Sequence, residues 1–292
     1  MCTTCGCSDN NKTTVTNLAT GERVEVEEDH LHTHDHTHRH DHDHHDGHTH
    51  DHHHDHSHDH GALNHSHTHG KTISLEQEIL AKNNLIAERN RGWFEGRNIL
   101  ALNLVSSPGS GKTTLLERTI RDLKDTVSIS VVEGDQETVN DAQRIKATGC
   151  KVVQINTGTG CHLESDMLAK GLKQLQPPTD SVVMIENVGN LVCPALFDLG
   201  EKTKVVILSV TEGEDKPVKY PHMFRAADVM IINKIDLLPY VDFNIDRCIE
   251  YARSVNPDIN VFQLSATDGN GLKNWYSWLS EMVQTSADSV AQ

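Results

Sequence analysis

The sequence predicts a three-layer α/β domain with a mainly parallel central sheet, preceded by a histidine-rich tail. Three observations predict it. From about residue 73 onward, strand-length apolar runs alternate with amphipathic stretches; one run leads into a glycine-rich turn that opens a helix; and the first 70 of the 292 residues hold almost nothing that could be buried. The expected folded unit is therefore one large domain, roughly residues 75 to 285, within a segment bounded at 71 to 292.

The tail divides by composition. Residues 1 to 8, "MCTTCGCS", crowd Cys2, Cys5 and Cys7 around a glycine. Three thiolates, with the α-amine of residue 1, could bind Ni²⁺ in a plane or Zn²⁺ tetrahedrally, and spacing alone leaves both open. Residues 9 to 29 are polar and read as a linker, with at best a weak hairpin over "TVTNLATGERVEVEE". Residues 30 to 70 are mainly His, Asp, Thr and Ser and are expected to be disordered without metal. Of the 22 histidines in the chain, 20 fall here: His30, His32, His34, His36, His38, His40, His42, His44, His45, His48, His50, His52, His53, His54, His56, His58, His60, His65, His67 and His69. In an extended chain the "HxH" repeat puts alternate imidazoles on one side, where neighbours can close on one Ni²⁺ or Zn²⁺. Overlapping sites on a flexible chain predict several ions held with moderate affinity and poor selectivity.

Formal net charge is -16, which argues against duplex nucleic acid or an anionic membrane as the main partner. The tract's histidines make that charge pH-dependent around about pH 6.5. The chain has no apolar run long enough for a transmembrane span and no basic-then-apolar leader, so the expected location is the cytoplasm. There the seven cysteines stay reduced, available for packing or metal.

In the folded segment the first helix is expected from Ile73, with Ile73, Leu75, Ile79, Leu80, Leu85 and Ile86 on one face, ending before "RNRGWFEGRN". Seven strands follow: "NILALNLVS", "VSISVVEGD", "KVVQIN", "SVVMIENVG", "TKVVILSV", "ADVMIINKID" and "INVFQLSA". Helices are expected at "GKTTLLERTIRDLK", "VNDAQRIKATG", "HLESDMLAKGLKQL", "FNIDRCIEYARSV" and "GLKNWYSWLSEMV". Buried strands alternating with helices mean a parallel sheet covered on both faces, with ligands beyond the strands' carboxyl ends.

The first strand runs into "SSPGSGKTT", residues 106 to 114. The phosphate-loop pattern wants Gly first and has Ser106, while Gly111, Lys112 and Thr113 fit. Gly109 and Gly111 let the backbone that begins at Pro108 curl so that the N–H groups of Gly109, Ser110 and Gly111 face phosphate oxygens, and the helix running on through Thr114 adds its positive end. Lys112 is expected between the β and γ phosphates, and the Thr113 hydroxyl on Mg²⁺.

Base choice is carried by "NKID", where Asp236 can accept from both guanine N1–H and the N2 amine, a donor pair adenine lacks. Asn233 and Lys234 would brace the loop, and "SAT", beginning Ser265 and Ala266, would offer the Ala266 N–H to the guanine oxygen. Two further strand ends carry carboxylates. Asp135 in "VVEGD" is expected to hold or orient Mg²⁺, and Glu186 with the Gly189 N–H in "MIENVG" to sense the γ phosphate.

Cys161 and His162 follow "INTGTG", and Cys193 lies four residues past Gly189, a partial metal set that an open position or a second subunit could complete. Cys193 would then feel any movement of residues 186 to 189 with nucleotide state. Cys150 and Cys248 read as packing residues.

Together "MCTTCGC", "NLVSSPGSGKTTLLE", "EGDQ", "TGTGCHL", "IENVGNLVCP" and "NKIDLLP" resemble the HypB family, nickel-inserting P-loop GTPases of [NiFe]-hydrogenase maturation. The resemblance implies a three-layer P-loop GTPase fold, a G domain that pairs on GTP binding, slow GTP hydrolysis, and nickel delivery with a HypA-type partner to the hydrogenase large-subunit precursor. It implies that Ser106 is normal in that loop, that Cys2, Cys5 and Cys7 match a tight nickel motif, and that Cys161, His162 and Cys193 match the G-domain metal site, for Ni²⁺ or Zn²⁺. It also implies that the histidine tract stores nickel. The urease nickel GTPases are the nearest rival, but they centre their metal on a Cys-Pro-His motif absent here.

Overall fold

The structure, a computed structural model, describes residues 13 to 25, 67 to 136 and 140 to 290. Cys2, Cys5, Cys7 and the tract histidines from His30 to His65 lie outside the described residues. The strands are β1 (Thr14–Asn17), β2 (Arg23–Glu25), β3 (Ile99–Ser106), β4 (Ile129–Asp135), β5 (Lys151–Asn156), β6 (Ser181–Glu186), β7 (Thr203–Ser209), β8 (Val229–Asn233) and β9 (Asn260–Gln263). The helices are α1 (His67–Glu95), α2 (Lys112–Leu123), α3 (Asn140–Lys146), α4 (Ser165–Leu175), α5 (Lys216–Lys219), α6 (Pro221–Ala226), α7 (Ile245–Val255) and α8 (Leu272–Val290). Single 3₁₀ turns occupy Cys193–Ala195 and Ile235–Tyr240.

All nine strands form one sheet, in the order β2-β1-β5-β4-β6-β3-β7-β8-β9. The seven strands β3 to β9 pair parallel, and β1 adds to the edge of β5 antiparallel. Every residue of β3, β6, β7 and β8 is buried, as strands covered on both faces require. Period-two alternation sends Leu100, Leu102 and Leu104 to one face, with α2, α3 and α8, and Ala101 and Val105 to the other, with α1, α4, α6 and α7. The topology reverses beside β3, whose neighbours are β6 and β7, and that switch point is where a ligand site forms in such sheets.

Three expectations change. Residues 14 to 25 are no mere linker: Thr14 and Val15 are buried and β1 pairs with β5 over four residues. Helix α1 begins at His67, so its first turn takes over the end of the histidine tract, and it runs on through "RNRGWFE". Its fully buried stripe is Asn83, Ala87, Asn90 and Phe94, with the expected Ile79, Leu80 and Ile86 half-buried beside it, while Leu85 is 72% exposed. Apolar spacing missed part of this face because half the buried stripe is Asn, satisfied by distant backbone: Asn83 Nδ2 donates to Asp198 O (2.7 Å), and Asn90 Nδ2 to Ser165 O (2.8 Å) and Leu199 O (3.1 Å).

Candidate nucleotide and metal site

Helix α2 starts from Gly111 at φ 92°, a left-handed conformation. A β-carbon there would lie 2.5 Å from Asn233 Nδ2, so glycine is required both by φ and by the approach of the β8 end. Ser106, where the pattern wants glycine, stays in β3, fully buried, and its hydroxyl accepts from Lys112 Nζ at 3.4 Å. The loop thus turns after Ser106 and needs no positive φ at that residue. A β-carbon at Gly189 would meet Pro108 at 3.1 Å, so the loop after β6 lies directly on the phosphate loop. A second ammonium reaches the same loop: Lys216 Nζ donates to Ser107 Oγ (3.2 Å) and pairs with Glu212 (3.3 Å).

From β8, Asn233 Nδ2 donates to Ser110 O (2.8 Å) and Lys234 Nζ to Gly109 O (2.6 Å), so both residues brace the phosphate loop. Asp236 Oδ1 is buried with no hydrogen-bond partner among the described residues, an acceptor suited to guanine's donor edge. The Ala266 N–H differs from expectation. It donates to Asn233 Oδ1 at 3.1 Å, bracing "NKID" rather than standing free for a base oxygen, while Ser265 Oγ accepts from Asp268 N (3.2 Å). Thr114 likewise turns outward, its hydroxyl accepting from Arg144 on α3 (3.2 Å).

Glu186, at the end of β6, is buried against the phosphate loop itself. Its Oε1 accepts from Thr113 Oγ1 at 2.7 Å and lies 3.8 Å from Lys112 Nζ. Beside it in register on β4 stands Glu133, also buried, which sequence reasoning passed over within "VVEGD". Burial, with the Glu186 and Asp135 carboxylates nearby, pushes Glu133 up to about 9. Burial likewise raises Glu186, against Lys112 and Thr113, which favour its ionised form. Glu133 Oε2 and Glu186 Oε2 have no hydrogen-bond partner among the described residues. Unpartnered carboxylate oxygens beside a threonine hydroxyl form a hard-oxygen donor set that fits Mg²⁺, whose charge would stabilise both ionised forms. Asp135 ends β4 two residues on, and its carbonyl accepts from Thr157 N (2.9 Å).

Beyond the ends of β5 and β6, three ligand atoms of Cys161, His162 and Cys193 lie within 4.8 Å of one another. Cys161 Sγ is 3.1 Å from Cys193 Sγ and 3.7 Å from His162 Nδ1. The His162 ring packs on Phe197 with centroids 4.0 Å apart, and burial pushes its imidazole down to about 4, so it is neutral at neutral pH, the form that ligates metal. Two thiols and one imidazole suit nickel or zinc and leave a fourth tetrahedral position open. Asn190 Nδ2 donates to Cys161 O (3.3 Å), tying the two metal-bearing loops together. Cys248 is fully buried within the core, and Cys150, partly buried, donates to Ile129 O (3.1 Å).

Residues 100 to 263 match the family described as "CobW/HypB/UreG, nucleotide-binding domain". The hydrogenase maturation factor HypB of Escherichia coli K12 is 47% identical over 294 residues, covering 96% of this chain and 98% of that protein. Among solved structures, HypB from Archaeoglobus fulgidus superposes with TM-score 0.66 at 37% identity, covering 70% of this chain and 99% of that one. HypB from Helicobacter pylori in complex with nickel gives TM-score 0.66 at 38% identity, covering 70% and 96%.

Proposed function

Because this chain belongs to the HypB branch of the CobW/HypB/UreG nucleotide-binding family and is a P-loop GTPase, we propose that it carries nickel and delivers it to the [NiFe]-hydrogenase large-subunit precursor under control of GTP. The observation that carries this reading is the shared loop. Glu186, which holds Thr113 and Lys112, ends β6, and the loop that leaves it reaches Cys193, which completes the metal cluster, seven residues on. The solved HypB relative from Helicobacter pylori in complex with nickel makes nickel the favoured cargo, with Zn²⁺ as a second occupant of the same donors.

In the proposed reaction, backbone N–H groups of residues 109 to 113 hold the GTP phosphates and Lys112 lies between β and γ, where its charge stabilises the transition state. Mg²⁺, when bound, neutralises phosphate charge; Thr113, with Glu133, Asp135 and Glu186 around it, would hold it. Asp236 selects guanine, and the Gly189 N–H faces the γ phosphate. A water attacks the γ phosphorus as its bond to the β–γ bridging oxygen breaks, GDP leaves and the water's proton ends on the released phosphate; the Glu186 carboxylate, engaged by Thr113 and Lys112, is poorly placed to act as a base, so turnover is slow. GTP favours a homodimer; hydrolysis loosens the Cys161–His162–Cys193 geometry, and nickel passes on with a HypA-type partner. Cys2, Cys5 and Cys7 supply a tight nickel site and the histidine tract a store. The protein works in the cytoplasm; among the described residues, no helix is long and apolar enough to cross a membrane.

The test is complementation of a hydrogenase-bearing host lacking this protein. Lys112→Ala and Cys193→Ser are expected to abolish hydrogenase activity at low nickel, with the large-subunit precursor accumulating unprocessed. Full activity from both variants would sink the proposal.

A further inference from the structure

Between the two sites runs a buried polar network that neither the nucleotide nor the metal chemistry requires. Asn103 on β3, Asn187 after β6, Glu201 before β7 and Lys204 on β7 are 0%, 1%, 7% and 7% exposed. The strand positions either side of Asn103 on its own face, Ala101 and Val105, belong to the apolar clusters of that face. Apolar side chains of similar volume would fill such places without the cost of desolvating two amides and an ion pair.

The hydrogen-bonding sense of every link is fixed. Lys204 can only donate and ionised Glu201 only accept: Nζ lies 3.4 Å from Glu201 Oε1. Asn103 Nδ2 donates to the same Oε1 (3.0 Å), while Glu201 Oε2 accepts from Leu199 N (2.8 Å). That leaves Asn103 Oδ1 to accept from Asn187 Nδ2 (3.2 Å), and Asn187 Oδ1 to accept from Leu163 N (3.1 Å) and Val188 N (3.0 Å). At the far end Lys204 Nζ donates to Pro194 O (3.0 Å).

Two arms thus leave one residue. Asn187 directly follows Glu186; one arm ends on Leu163, next to His162, and the other on Pro194, next to Cys193. We propose that Asn103, Glu201 and Lys204 are positioning residues that transmit the state of the phosphate site to the metal cluster: they tie the Pro194 segment, beside Cys193, to Asn187, whose own side chain holds the Leu163 segment, beside His162. This rests on the reading of the chain as a GTP-controlled metal carrier. A shift of Glu186 on nucleotide exchange moves Asn187, and through the two arms it changes the setting of Cys161 and His162 relative to Cys193. The network is contiguous and fully paired, so it moves as a unit or breaks.

The test uses reciprocity: metal must change nucleotide affinity by the factor by which nucleotide changes metal affinity. In the full-length protein, with Mg²⁺ constant, the affinity for a fluorescent non-hydrolysable GTP analogue is measured without Ni²⁺ and at saturating Ni²⁺. The part of the shift lost in Cys193→Ser belongs to this cluster and excludes the tail. The wild type is expected to show a shift of about tenfold, within the usual range for coupled sites. In Asn103→Leu and in Lys204→Met, whose aliphatic stem still packs, the shift falls to within about twofold of none while metal-free nucleotide affinity is kept. The double variant shows no further loss, because both act through one network. Thr119→Val, which removes a buried bond from Trp275 on the opposite face, keeps the full shift despite its stability loss. Melting curves establish folding, and Asn103→Ser replaces Asn103→Leu if the latter does not fold. A wild-type-sized shift in folded Lys204→Met and Asn103 variants overturns the proposal alone. A wild type with no shift, or with one that survives Cys193→Ser, overturns it together with the metal-carrier reading.

Discussion

At the residue scale, the nucleotide site depends on close approach. Gly111→Ala forces a β-carbon into Asn233 Nδ2 at a left-handed φ, so nucleotide binding measured by calorimetry should be lost with the fold retained. Asp236→Asn removes a charged acceptor for two guanine donors. GTP affinity is expected to fall by about 100-fold, or about 3 kcal/mol, and xanthosine triphosphate, which offers an oxygen where guanine has its amine, should gain. An unchanged preference for guanine would mean that Asp236 does not read the base. Cys248 gives a pH dependence. Burial, with Glu214 nearby, pushes its thiol up to about 12 from 9.0. The unfolded thiol ionises first as pH rises, so this stability is fully present below pH 9.0 and is lost toward pH 12, by about 4 kcal/mol in all. Cys248→Ala should flatten the alkaline limb of a urea stability profile; an unaltered limb would contradict the assignment.

At the scale of elements, β3 to β8 were legible because strands covered on both faces are written as near-continuous apolar runs, whereas the edge strand β9, with no buried residue, was legible only from the short run "INVFQLSA". The motif-bearing turns were legible too, since Gly111, Lys112 and Thr113 must be contiguous to wrap a phosphate. What escaped reading depends on partners remote in sequence. The hairpin β1–β2 is made a sheet edge by β5, about 140 residues away, which nothing in "TVTN" announces. Short α5 and α6, each with proline in its first turn, lack the length for periodicity. Glu133 was passed over within its strand because the carboxylate that makes it notable, Glu186, lies beside it on another strand, and Asn103, Glu201 and Lys204 are scattered over 100 positions of chain. Helix α1 teaches the same lesson through Asn90, which clasps the start of α4 and the segment before β7. Asn90→Ala removes both buried hydrogen bonds at once and should cost about 2 to 3 kcal/mol in urea unfolding, with GTP affinity unchanged. A cost below about 0.5 kcal/mol would mean that α1 docks by its apolar contacts alone.

At the scale of the whole molecule, strand order decides what can be coupled. Inserting β6 between β4 and β3 brings Glu186 to the phosphate loop, and the same chain segment goes on to Cys193 beside the end of β5. The candidate nucleotide and metal residues therefore share one loop and one buried network, and on the proposed reading each ligand alters the affinity of the other. The direct measurement is a Ni²⁺ isotherm on full-length protein with GDP and with a non-hydrolysable GTP analogue, each repeated on Cys193→Ser to subtract the tail. The expected result is one Cys193-dependent site per chain or per dimer whose affinity differs between nucleotides by roughly tenfold. A Cys193-dependent site of identical affinity in both states, or none, would contradict it and leave a GTPase and a metal store that do not communicate.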